Sequence, residues 1–432
     1  MIFGLSLIPI IFLTGMALDF TSAAQKRTRL NAAADAAALA AVTPAMMLQS
    51  NSAALTAATN MFNATAANIG AATVNPPTIT MTNAGLVRTV TVSYTATSTN
   101  TFPNVFSFVT KTSHTTWPLS GSATATSYSA PNINFYLLLD NSPSMDIAAT
   151  TAGITTMVNN TSAQGGCAFA CHETNPSSEN PPLGNPIVNG QEEDNYALAN
   201  SLGVVTRIEN MATATSALMT TAADTEQAND ATYQMAIYTF NYNGLTTVYA
   251  PSNLPSANLT AAGTAASTID VLEVYSNNYL TKTNENEDTD TNFETAMTAV
   301  NNLMPNPGTG SSTSTPQEVL FIVSDGVDDE VNSSNCSQPL TGTRCQQPFN
   351  TSMCTTVKNR GIMIAVLYTE YLPLTTNSWY NEWIAPFQST LSANMQSCAS
   401  PGLYFEITTD GDITAAMQTL FQLAIATARL TQ

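Results

Sequence analysis

Charge is scarce in this chain: only 9% of its 432 residues are Asp, Glu, Lys or Arg. Bases are scarcer than acids, 11 against 30, which leaves a net charge of −19. A nucleic-acid footprint needs clustered Lys and Arg, so that class of partner is excluded. An acidic surface attracts cations instead. Histidine is limited to His114 and His172. There is no Gly-x-Ser-x-Gly turn, no His-Glu-x-x-His helix and no glycine loop to cradle phosphate. The chain therefore reads as a binding or structural protein and not an enzyme. A metal-dependent hydrolase is the enzymatic alternative, but it needs a general base near the ion.

Ala, Thr, Ser and Asn take the place of the missing charge, a mixture suited to a secreted or surface protein. Six cysteines are present: Cys167, Cys171, Cys336, Cys345, Cys354 and Cys398. Their even number and the loop-like surroundings of several predict disulfides in an oxidising compartment. Cys167–Cys171, Cys336–Cys345 and Cys354–Cys398 are the pairings considered. Cys167-Ala168-Phe169-Ala170-Cys171-His172 has one residue too many between its cysteines for covalent haem and reads as a small disulfide loop.

Residues Met1 to Leu18 carry no charge and are mostly apolar. As a helix they would be about 27 Å long, close to the ~30 Å hydrocarbon core of a bilayer. A membrane anchor over residues 2–18 is expected, a cleaved signal peptide ending near Ser22–Ala24 being the alternative. Lys26, Arg27 and Arg29 after the span favour a cytoplasmic bulk, whereas the cysteines favour export. The cysteines are given more weight, which puts the bulk in the periplasm or at the cell surface.

Three regions are expected. Residues 1–70 form an anchor and helical stalk. Residues 71–129 form a small β-rich, pilin-like part, in which Thr78–Thr82 and Val87–Tyr94 alternate apolar and polar side chains. Residues 130–432 alternate strands and helices. The apolar runs Ile133–Leu139, Met235–Phe240, Val319–Val323, Ile362–Leu367 and Leu403–Ile407 predict buried strands. Helices are expected at Arg207–Ala222, Phe293–Leu303 and Ile413–Leu430, with a surface insertion at 159–205. The pattern predicts an α/β fold with a doubly wound, mostly parallel sheet flanked by helices.

Ligands of such sheets gather at the carboxyl ends of strands. There the first run ends in Asp140-Asn141-Ser142-Pro143-Ser144, and another ends in Ser324-Asp325-Gly326. Thr291-Asn292-Phe293-Glu294 opens a helix. Asp140, Ser142, Ser144, Thr291 and Asp325 would offer two carboxylates and three hydroxyls, a hard oxygen set that suits Mg²⁺, with Mn²⁺ or Ca²⁺ as alternatives. Each piece also has a purely structural reading: Ser142 as a cap ahead of Pro143, Thr291 with Glu294 as a capping box, and Asp325-Gly326 as a turn. The acidic run Glu285–Asp290 is a possible second cation site or a solvated loop.

The spaced Asp-x-Ser-x-Ser, the later Thr and the later Asp resemble the metal-ion-dependent adhesion site of von Willebrand factor A domains, over residues 130–430. Here Thr289-Asp290 stand where many such domains have Gly-Gly, which makes Thr289 an alternative ligand to Thr291. The whole chain resembles TadG-like proteins of tight-adherence (Tad, Flp) pilus systems. The residues that carry this likeness are Asp35–Ala40 and Cys398-Ala399-Ser400-Pro401 before Tyr404-Phe405. The resemblance implies an envelope-anchored protein that binds a partner's acidic side chain through the cation. The alternative is a pilin-like subunit whose metal is structural.

Overall fold

Alanine repeated along one side of the first helix decides how the N-terminal part packs. The computed structural model describes residues 2–70, 72–102, 115–176, 186–276, 280, 289–331, 336–408 and 410–430, with the backbone alone at 2–9 and 430. It divides into two compact units, Met1–Ser129 and Ala130–Gln432.

In the first unit, α1 (Ile2–Ala40) and α2 (Asn51–Ala66) lie with four strands, β1 (Ala72–Val74), β2 (Thr78–Ala84), β3 (Val87–Thr99) and β4 (Thr116–Tyr128). β3 pairs antiparallel with the other three. Its burial alternates strictly, so Val90, Val92, Tyr94 and Ala96 face inward. They share one core with Leu30, Ala33, Ala34, Ala37 and Ala38 of α1 and Phe62 of α2. Small side chains let helix and sheet approach closely. At Gly121 of β4 an added Cβ would lie 2.5 Å from Asn31 Oδ1 and 2.8 Å from the Tyr94 hydroxyl, so only glycine fits. The Tyr94 hydroxyl donates to Asn31 Oδ1 at 2.7 Å.

The expected anchor over residues 2–18 forms the start of α1. Among the described residues, however, no helix is long and apolar enough to cross a membrane.

The second unit holds β5 (Ile133–Asp140), α3 (Thr151–Asn160), α4 (Asn195–Leu202), α5 (Arg207–Asn229), β6 (Tyr233–Asn241), β7 (Gly244–Tyr249), α6 (Leu259–Ala266) and α7 (Phe293–Leu303). These are followed by β8 (Gln317–Ser324), β9 (Val327–Val331), β10 (Arg344–Pro348), α8 (Ser352–Asn359), β11 (Met363–Thr369), α9 (Ala385–Cys398), β12 (Tyr404–Ile407) and α10 (Ile413–Leu430). The main sheet runs β12-β11-β8-β5-β6-β7. Every residue of β5 and β8 is buried. Phe135, Leu137 and Leu139 pack with α5, α6 and α10. Tyr136 and Leu138 pack on the other face with α7, α8 and α9.

The expectation of a doubly wound parallel sheet of von Willebrand type is corrected by this topology. β7 reverses against β6 and pairs antiparallel, which makes the sheet mixed. β9 and β10 form a separate antiparallel hairpin, and the sheet of the first unit is antiparallel throughout. The protein is mixed α/β. The overlooked signal was Asn243-Gly244, where the chain turns back on itself with Gly244 at φ 78°.

Two disulfides form, Cys336–Cys345 and Cys354–Cys398. Cys167 and Cys171 remain as thiols rather than the expected small disulfide loop. The hydrogen bond with Cys167, and then burial, hold the Cys171 thiol well above its usual range. The stretch 159–205 is more than surface insertion: Ala170, Leu198, Ala199 and Val204 build a small core with Ala148 and Met157.

Candidate functional site

β5 and β8 are parallel neighbours in register through Leu139 and Val323, so both end at one edge of the sheet. Asp140 and Asp325 follow there, and both are fully buried. Asp140 Oδ1 accepts from the Ser142 amide at 3.0 Å and the Ser142 hydroxyl at 2.6 Å. Asp140 Oδ2 accepts from the Ser324 hydroxyl at 2.6 Å. The Ser142 and Ser144 hydroxyls lie 3.0 Å apart. Asp325 Oδ1 accepts from the Val327 amide at 3.2 Å across the turn at Gly326, where φ is 80°. Asp325 Oδ2 is buried and has no hydrogen-bond donor.

Two buried carboxylates so close disfavour each other's charge. The Asp140 carboxyl is pushed up to about 7 by burial and then by the neighbouring Asp325. Asp325 is raised by burial as well, and the Ser144 hydroxyl beside it opposes that rise.

Ser142 does precede a short 3-10 turn at Pro143–Met145, but its side chain makes no capping bond and serves Asp140 instead. Thr291 does not cap α7: Asn292 does, accepting from the Thr295 amide at 3.0 Å. Asp325 is indeed a turn residue through one oxygen, which leaves the other uncommitted. Thr291 is buried and held by a two-way backbone bridge to Asp329 at 2.9 Å in each direction. It lines a cleft of about 490 Å³ together with Ser144. Thr289 is also buried, beside Asp290. Glu285–Asp288 lie outside the described residues.

Among the described residues, no group of three or more His, Cys, Asp and Glu side chains could hold a metal. The candidate set is of another kind, with two carboxylates and hydroxyls. It fits a hard divalent cation chemically: a buried carboxylate oxygen without a donor, a second carboxylate close by and small neutral oxygens around them. Asp140, with both oxygens already bonded, is suited to positioning Ser142 and Ser324. Asp325, Ser142, Ser144 and Thr291 are the residues that would meet an ion.

Three further features were missed in the sequence. Ser324 sits directly before Asp325 and ties it to β5. Arg344 of β10 reaches Asp329 Oδ1 through Nε at 2.7 Å and Asp290 Oδ2 through Nη2 at 3.2 Å, fixing the wall that carries Thr291. Asp146 is fully buried, and burial holds its carboxyl well above its usual range against the opposing Thr206 side chain. Only Ser324 and Asp146 had a visible signal, because both adjoin the proposed ligands in sequence.

Comparison with known proteins bears chiefly on the first unit. A model of the family described as putative Flp pilus-assembly TadE/G-like matches residues 1–47. No curated protein matches the chain. Two solved structures resemble it over 83% of its length at 10% identity. One is the pilus adhesin SpaC from Lactobacillus rhamnosus GG, at a TM-score of 0.33, and the match spans 34% of that adhesin. The other is the PilB minor pilin from Streptococcus sanguinis, at a TM-score of 0.34, with 78% of that chain covered. At those TM-scores neither likeness carries an argument about fold or ligand.

Proposed function

We propose that this is a cell-envelope protein of the Tad pilus-assembly kind, whose second unit binds a protein partner through a divalent cation. The match over residues 1–47 supports the assignment to pilus assembly. The observation that carries the cation is Asp325 Oδ2, buried and without a donor beside a second buried carboxylate. Asp325, Ser142, Ser144 and Thr291 would hold the ion, and magnesium suits their oxygens best. The chemistry such an ion would supply is attraction for an acidic side chain of the partner. Asp140 and Ser324 keep the strand ends together, and the Asp329–Arg344 pair keeps Thr291 in the cleft wall. The role is binding, with no reaction to catalyse.

Calorimetry tests the site. Magnesium or manganese should bind the wild-type chain at one site and fail to bind Asp325→Ala. A pull-down of exported proteins should lose its specific partner in chelator and with Asp140→Ala. Equal metal uptake by wild type and Asp325→Ala would end this reading.

A further inference from the structure

The cleft beside Ser144 and Thr291 extends well past the proposed ion site, and its far wall is built differently. Trp379, Tyr371 and Tyr380 line it. Trp379 is 37% exposed, although it is among the largest apolar side chains in the protein. Tyr371 and Tyr380 lie nearly parallel, 15° apart with ring centres at 6.3 Å.

Amides line the same cleft. Gln346 and Asn195 both line it, and each is more than nine-tenths buried. Each keeps an amide oxygen with no hydrogen-bond donor, Gln346 Oε1 and Asn195 Oδ1. Their nitrogens are committed: Gln346 Nε2 donates to Asp329 Oδ2 at 3.0 Å, and Asn195 Nδ2 to Gln164 Oε1 at 2.7 Å. Buried acceptors without donors disfavour the empty cleft and favour a ligand rich in O–H or N–H groups.

Charge narrows the class. Among the described residues, Arg344 is the one basic residue lining the cleft, and it is engaged by Asp329 and Asp290 and lies over the Trp379 ring at 5.2 Å. An anionic ligand would meet the carboxylates of Asp290, Asp329 and Glu173 there. A neutral ligand meets no such penalty. It must also offer a flat apolar face to the aromatic rings and hydroxyls to the amides. Sugar rings have both, with C–H groups on one face and hydroxyls around the edge. The volume of about 490 Å³ lies within the range of small-ligand sites and takes a short oligosaccharide.

We infer that this cleft is a binding site for a neutral saccharide, with Trp379 as the stacking platform and Gln346 and Asn195 as hydroxyl acceptors. The inference rests on the cleft wall and is independent of the cation.

The test uses the full chain in chelator, so that failure of the cation reading leaves it intact. A panel of neutral di- and trisaccharides, built from glucose, galactose, mannose and N-acetylhexosamines, is followed by saturation-transfer NMR and tryptophan fluorescence. At least one sugar class should show transfer strongest at its C–H face. Trp379→Ala should weaken that binding roughly tenfold, and Gln346→Met should weaken it with the aromatic wall intact. Circular dichroism checks that both variants fold, and Asn377→Ala at the cleft rim serves as a milder second probe if Gln346→Met does not. The inference is overturned if no sugar in the panel binds, if binding is unchanged in Trp379→Ala, or if the cleft takes an Asn- and Ser-rich peptide and no sugar.

Discussion

The Ser324 hydroxyl donates to Asp140 Oδ2 at 2.6 Å, a bond between the ends of two strands whose residues lie 184 apart in sequence. Both side chains are fully buried, so water cannot replace the donor. Ser324→Ala should therefore destabilise the second unit by about 1–3 kcal/mol, the cost of a buried acceptor left without its donor. Urea denaturation measures this, and a loss below a few tenths would show that Asp140 finds another donor.

Asp325 should trade stability against binding. Without a cation its buried charge faces Asp140, so Asp325→Asn should match or exceed the wild type in thermal midpoint. Magnesium should raise the wild-type midpoint by mass action and leave the variant unmoved. Melting curves with and without magnesium decide it; a variant that still responds to the ion would remove Asp325 from the site.

Stability should fall as pH rises from about 5 to about 8. Glu318 is buried in the core, with Asn134 Nδ2 donating to Oε1 at 3.1 Å and no partner on Oε2. Burial pushes its carboxyl up to about 8. A carboxyl raised on folding binds its proton more tightly in the native state. Its stabilising contribution is complete below the unfolded value and is lost as pH climbs through the folded one. Asp328, also pushed up to about 8 by burial, acts in the same direction. Glu318→Gln should flatten the slope of thermal midpoint against pH, and an unchanged slope would assign the effect elsewhere.

Asp329→Ala should be among the most damaging changes in the β9–β10 hairpin. It would leave the buried Arg344 guanidinium without its two-pronged partner, a loss of about 3–5 kcal/mol. The backbone bridge between residues 291 and 329 does not depend on the side chain, but the hairpin that carries it would loosen with Arg344, so sensitivity to protease near residue 291 should rise. A stable variant with a protected loop would contradict that coupling.

Reduction should weaken the second unit more through one bridge than the other. Cys354–Cys398 closes a loop with a sequence separation of 44, against 9 for Cys336–Cys345. On the chain-entropy estimate the longer loop contributes about 4 kcal/mol. Paired Cys354→Ala and Cys398→Ala should lower the denaturation midpoint by most of the drop that dithiothreitol causes.

Apolar runs were legible because strands such as β5 and β8 are buried on both faces and so read as unbroken hydrophobic stretches. The carboxyl ends of those strands showed where Asp140 and Asp325 meet, since strand order in a sheet brings such ends together. The reversal of β7 is carried by the Asn243-Gly244 turn and not by the apolar runs, since the side chains on either side still look like a strand. Arg344 with Asp329 was hidden for a different reason. The pair depends on a hairpin closing across a stretch with no apolar period to reveal it. Trp379 was invisible as a site residue because an exposed aromatic acquires meaning only from what lies across the gap.

The alanine seam between α1 and the small sheet has a consequence for how the protein tolerates change. Alanine loses no side-chain freedom when it is buried, so the seam closes at little entropic cost. It also has no slack, as Gly121 shows, where one added carbon meets Asn31 and Tyr94. Substitution there is lopsided: almost every replacement is an enlargement. A library scanning residues 33–41 should return a narrow set of Gly, Ala and Ser, whereas the outward-facing positions between them accept nearly anything.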